Sequence, residues 1–124
     1  MKALTSVLIL GALVAGPAYA ACSYPRAPTN VPDGSTATLD DMKTAQKDLQ
    51  AYNNAIKAYT DCLKLEHDER IAKDAATLTP EQKEELARVQ IQKNNAAVDE
   101  AEAVTARFNE QVRIFKARQD KAKS

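Results

Sequence analysis

From Thr38 onward the chain carries apolar residues at alternating steps of three and four. Met42, Ala45, Leu49, Tyr52, Ile56, Tyr59 and Leu63 keep that spacing without a gap. Such a pattern is the heptad seam of an amphipathic helix. Past Leu63 the steps become fours, through His67, Ile71 and Ala75, a drift that loosens a supercoil. A second stripe follows at Leu86, Ala97, Ala101, Val104, Phe108, Val112 and Phe115, with Val89 and Val98 on its flanks. The two stripes mirror each other about a point near Leu78. Met42 and Phe115, Ala45 and Val112, Leu49 and Phe108, Ile56 and Ala101, Tyr59 and Val98, and Ile71 and Leu86 are each equidistant from it. Residues equally far from a turn come side by side in a helical hairpin, so the pattern predicts two antiparallel helices at a shallow crossing angle.

The helix boundaries are marked by capping chemistry. Thr38-Leu39-Asp40-Asp41 is a capping-box variant with acidic residues in the first turn, where they complement the helix dipole. Thr79-Pro80-Glu81-Gln82 is a Thr-x-x-Gln capping box. Its proline falls at the first helical position, where the missing N–H costs nothing. The expected helices cover about 39–76 and 80–118, with the turn at 77–79 and a polar, basic C-terminus at 119–124 that frays. Asp40 and Asp41 are expected near Lys116 and Arg118.

Ahead of the first helix, residues 21–37 hold Pro25, Pro28 and Pro32, which favour extended backbone. Asp33-Gly34 is a turn signal. Cys22 lies in this tail and Cys62 in the first helix; they are the only two cysteines. From Thr38 to Cys62 a helix runs about 36 Å, and the stretch from Cys22 to Thr38 extends to about 53 Å. The tail can therefore double back and reach Cys62, laying Tyr24 and Val31 over the seam. A disulfide closing this loop contributes about 4 kcal/mol by restricting the unfolded chain. No Cys-x-x-Cys spacing suggests redox catalysis.

The disulfide is consistent with the first twenty residues. Lys2, the apolar run Leu4–Val14 and the small-x-small site Ala18-Tyr19-Ala20 read as a signal peptide cleaved near Ala20/Ala21. That predicts a periplasmic or secreted protein. Cys22 follows the site closely, but lipid attachment wants an aliphatic residue where Tyr19 stands. No stretch of the mature chain is apolar enough to span a membrane. The whole sequence has 17 basic and 17 acidic residues. Removing Lys2 leaves the mature chain near neutral with both signs interspersed, which argues against nucleic acid as a partner.

Candidate chemistry is sparse. His67, the only histidine, faces Gln90 in the mirror register, with Asn94 opposite Leu63. The three form a possible polar layer that fixes register, as a buried asparagine does in a coiled coil. The sharper alternative is a pH-sensing or metal-binding spot at His67, although a lone histidine lacks the three or four ligands of a zinc site. Glu84-Glu85, Asp99-Glu100 and Glu66 with Asp68-Glu69 fall on exposed faces. Ser23, Ser35 and Ser124 have no base at recognisable spacing, and no glycine-rich phosphate loop is present. The expectation is no enzyme activity, no catalytic residues, no cofactor and no metal.

Leu78-Thr79-Pro80-Glu81-Gln82 resembles the LTxxQ motif of the Spy/CpxP-type periplasmic stress proteins and chaperones. The resemblance implies an exported, all-helical protein whose long antiparallel helices form a cradle for unfolded clients. Such proteins usually carry two copies of the motif, and this chain carries one. In other respects it resembles small exported helical proteins of Gram-negative bacteria. The expected fold is therefore all-α: a coiled-coil-like two-helix hairpin with an extended proline-rich tail pinned by Cys22–Cys62. The expected role is that of a structural or interaction protein that binds a protein partner or itself. Leu65, Ile91 and Ile114, off the seam, are expected to be exposed.

Overall fold

Two capped helices make up most of the molecule. The computed structural model describes residues 21–124; residues 1–20, and with them the expected signal peptide, lie outside the described residues. Helix α1 spans Leu39–Lys73 and α2 spans Pro80–Lys123. Both starts carry the reciprocal capping box read from the sequence. Thr38 accepts from the Asp41 N–H while Asp41 accepts from the Thr38 N–H. Thr79 and Gln82 do the same at α2, with Pro80 just inside. Each box satisfies donors that the first helical turn leaves open.

The helices run antiparallel. Near the turn, the Lys83 ammonium of α2 reaches the Ala75 carbonyl just past α1. At the far end, Arg118 of α2 donates to the Ala37 carbonyl just ahead of α1. Met42, Leu49, Tyr52, Ile56, Tyr59 and Leu63 are buried on α1, and Ala97, Val104, Phe108 and Phe115 on α2. Ala45, Ala101 and Val112 pack against them, half-buried. The stripes thus meet as the mirror pattern requires. Of the two residues expected opposite Tyr59, Ala97 on the stripe is buried and Val98 on its flank is 37% exposed.

Helix α1 ends three residues before the expected boundary near Ala76. Asp74 caps it, its N–H donating to the Arg70 carbonyl. Its own carbonyl accepts from the Thr77 and Leu78 N–H groups and the Thr77 hydroxyl. Those bonds hold a tight turn where another helical turn would have formed. At the other end α2 continues to Lys123 rather than fraying after Arg118. Lys121 and Lys123 in its last turn complement the helix dipole.

The tail lies against both helices as a third layer. Cys22 and Cys62 are disulfide-bonded, with Cα atoms 5.8 Å apart. Ala27 and Val31 pack on the core. This cover explains a difference at Ile114. It was expected to be exposed, yet it is half-buried, sharing a groove with Val31 and Ser35.

Candidate functional site

The tail forms a strap anchored at both ends. At the Cys22 end, the Tyr24 ring meets the Tyr59 ring edge-on, with centroids 5.1 Å apart. The Tyr24 hydroxyl donates to the Glu100 carboxylate of α2, and that bond is the main cause pushing its pKa up to about 12. Glu66 Oε2 stands 3.3 Å from Cys22 Sγ. A disulfide sulfur has no hydrogen to donate, so this is a charged contact and not a hydrogen bond.

At the other end, the Asp33 carboxylate accepts from the Ser35 hydroxyl and N–H, which holds Asp33 below its ordinary range. The Thr36 and Ala37 N–H groups return to the Asp33 carbonyl. This turn presses Gly34 onto α2, where its N–H donates to Gln111 Oε1 at 2.9 Å. Arg118 donates to the Ser35 and Ala37 carbonyls and lies over the Phe115 ring, 5.1 Å from its centroid. Arg118 thus comes to the start of α1, the end of the hairpin where Asp40 and Asp41 stand, but forms no ion pair with either. The carbonyls claim Arg118, and Asp41 is engaged by Thr38. Tyr52 lies beneath the strap with its hydroxyl buried and unpartnered. Burial raises its pKa, helped by the nearby charge of Glu100.

The expected polar layer is only partly assembled. His67 and Gln90 border one cleft of about 180 Å³ together with Leu63, Leu86 and Lys93. Asn94 is half-buried but not part of that lining. His67 Nδ1 pairs with Asp68 on its own helix at 3.2 Å, and its Nε2 is buried without a partner. Among the described residues, no group of three or more His, Cys, Asp or Glu side chains is placed to hold a metal ion. No helix there is long and apolar enough to cross a membrane.

Burial is divided unevenly along the hairpin. Every buried core residue falls within 37–63 or 97–115, the half that the strap covers. Between Lys64 and Ala96 no residue is fully buried. In this arm Ile71, Leu86 and Val89 are half-buried, while Leu65 is 63% and Ile91 54% exposed. The ion pairs of the described residues all lie within one helix or, for Arg70 with Asp74, between a helix and its own cap, at spacings of four residues or fewer. They tie neither helix to the other. The seam pattern made the core legible. The anchoring roles of Gln111 and Arg118 escaped the sequence reading because both address backbone groups, which leave no residue-type signal.

Comparison with known proteins assigns no relative: no family model matches the chain, and neither a curated protein nor a solved structure matches it.

Proposed function

We propose that the protein is a small exported helical hairpin without catalytic chemistry, whose role is to dock protein surface along its turn-proximal arm. The observation that carries this reading is the contrast between the strapped half and the arm. A two-helix arm with no fully buried residue holds little apolar area of its own. Leu65 and Ile91 add exposed apolar side chains there, of the kind that mark association surfaces. A second copy is the simplest partner, because the arm carries charges of both signs and repels neither. Export is supported by the leader-like 1–20 segment and by the disulfide.

Light scattering coupled to size exclusion tests the reading at high micromolar concentration. The exported protein is expected to run as a dimer or larger, and Ile91→Glu to shift it toward monomer. A strict monomer that captures no protein from a periplasmic extract would overturn it. A cradle-type chaperone role, for which the Leu78–Gln82 motif is the support, predicts suppression of client aggregation near a one-to-one ratio. No suppression at that ratio removes it.

A further inference from the structure

The strap is held at its two ends by unlike means. One end is covalent, through Cys22 and Cys62. The other rests on Gly34, Gln111 and Arg118 through hydrogen bonds. Between them, residues 23–32 make no backbone hydrogen bond to the rest of the described chain. Their attachments are the Tyr24 contacts with Tyr59 and Glu100, the packing of Ala27 and Val31, and the half-buried Pro25, Pro28 and Pro32. Tyr24 itself is 48% exposed. Ordering these residues costs backbone entropy, less at the three prolines than elsewhere, and one aromatic contact with a few half-buried apolar ones offsets only part of it. The disulfide makes up the difference by keeping the far end close.

We infer that the Cys22–Cys62 disulfide is a redox latch on the strap: its reduction frees residues 22–32 and uncovers the Tyr52–Tyr59 surface of α1, while the Gly34–Arg118 anchor and the hairpin stay in place. Both cysteines are half-buried and within reach of a small reductant. The reductant is a dithiol. Its thiolate attacks one sulfur, forms a mixed disulfide and expels the other cysteine as thiolate. Its second thiol then displaces the protein from the mixed disulfide. Two electrons pass to the pair, two protons end on Cys22 and Cys62, and the dithiol leaves as a cyclic disulfide. The hairpin persists because Leu49, Ile56, Val104 and Phe108 are part of a core that both helices supply. The latch rests on the strap's own attachments and holds whichever partner the arm docks.

The test is NMR on the isotopically labelled exported protein before and after treatment with dithiothreitol, with intact mass showing a gain of two hydrogens. Reduction is expected to abolish the cross-relaxation between the Tyr24 and Tyr59 rings. Backbone order parameters over 23–32 should fall below about 0.6, the flexible range. The Thr36 and Ala37 amides and both helices should keep their signals. The Cys22→Ser, Cys62→Ser double variant should reproduce the reduced spectrum. Unchanged strap signals after verified reduction would overturn the latch. So would loss of the helical signals together with the strap, because the disulfide would then be a staple of the whole fold.

Discussion

Gly34 lies so close to Gln111 that a Cβ built on it would fall 2.1 Å from the Gln111 carbonyl oxygen and 2.9 Å from the Phe115 nitrogen. Both are backbone atoms of a helix and cannot give way. The glycine is required here by close approach, since its φ is not positive. Gly34→Ala must therefore push the strap off α2, and the Gly34-to-Gln111 hydrogen bond goes with it. A loss of about 2 kcal/mol is expected, typical of forced overpacking. Urea unfolding of the oxidised protein measures it, and a loss within error of zero would mean the anchor does not stabilise the fold.

Arg118 secures the same end by forking across two carbonyls, those of Ser35 and Ala37. Its removal leaves charge-assisted bonds unmade at the start of α1. Arg118→Ala should cost about 1–2 kcal/mol. Arg118→Lys should recover only part of that, because an ammonium cannot reproduce the planar fork. If lysine restores full stability in the same unfolding assay, charge alone explains the residue.

How much of this was legible in advance follows from what each contact reads. The seam from Met42 to Leu63 and its mirror from Ala97 to Phe115 were legible because burial acts on side-chain type at a fixed period. The Cys22–Cys62 bond was legible from chain reach. The strap's second anchor was not, since Gln111 and Arg118 bind main-chain atoms. Nor was the end of α1 at Lys73, which depends on three donors converging on the Asp74 carbonyl. His67 looked like half of a cross-helix pair by register. Its Nδ1 instead took the nearest acceptor, Asp68 on its own helix.

The capping carboxylates make stability depend on acid. Bonds from the Thr38 hydroxyl and N–H hold Asp41 below its ordinary 3.8, and the Ser35 bonds do the same for Asp33. As pH falls, the unfolded chain takes up these protons first. The contribution is therefore fully present above about pH 5 and is lost as pH drops through the lowered folded values. The thermal midpoint should fall over that window, and Asp41→Asn should flatten the dependence. A midpoint that rises on acidification would contradict the assigned direction.

Glu66 places a negative charge 3.3 Å from Cys22 Sγ. The attacking species in disulfide reduction is itself an anion, so the carboxylate should slow its approach. Glu66→Gln is expected to speed reduction by dithiothreitol about threefold at low ionic strength, with the difference shrinking as salt screens it. Quenched-flow or timed alkylation followed by mass measurement reports the rate. Equal rates for the two proteins at low salt would remove Glu66 from any role at the latch.

The uneven burial should appear as uneven opening. Amide exchange in a helix requires local separation of the hydrogen-bonded turn, and its free energy scales with the packing lost. In the strapped half, Tyr52, Ile56, Tyr59, Val104 and Phe108 are buried and must be exposed together. In the arm, opening is opposed by half-buried side chains such as Ile71, Leu78, Leu86, Ala87 and Val89 and by the bond from Lys83 to the Ala75 carbonyl, and the ion pairs there, such as Arg88 with Glu85, stay within one helix and do not cross the seam. Amides over 64–73 and 82–93 should therefore exchange at least about tenfold faster than those over 49–63 and 97–115, equivalent to about 1.4 kcal/mol in opening free energy. Hydrogen exchange read by NMR on dilute protein gives both sets at once. On concentrated protein the arm should slow selectively if copies dock there, because association must be undone before the arm opens. Uniform protection at both concentrations would show that the hairpin opens as one unit, and the arm would lose its standing as a separate docking element.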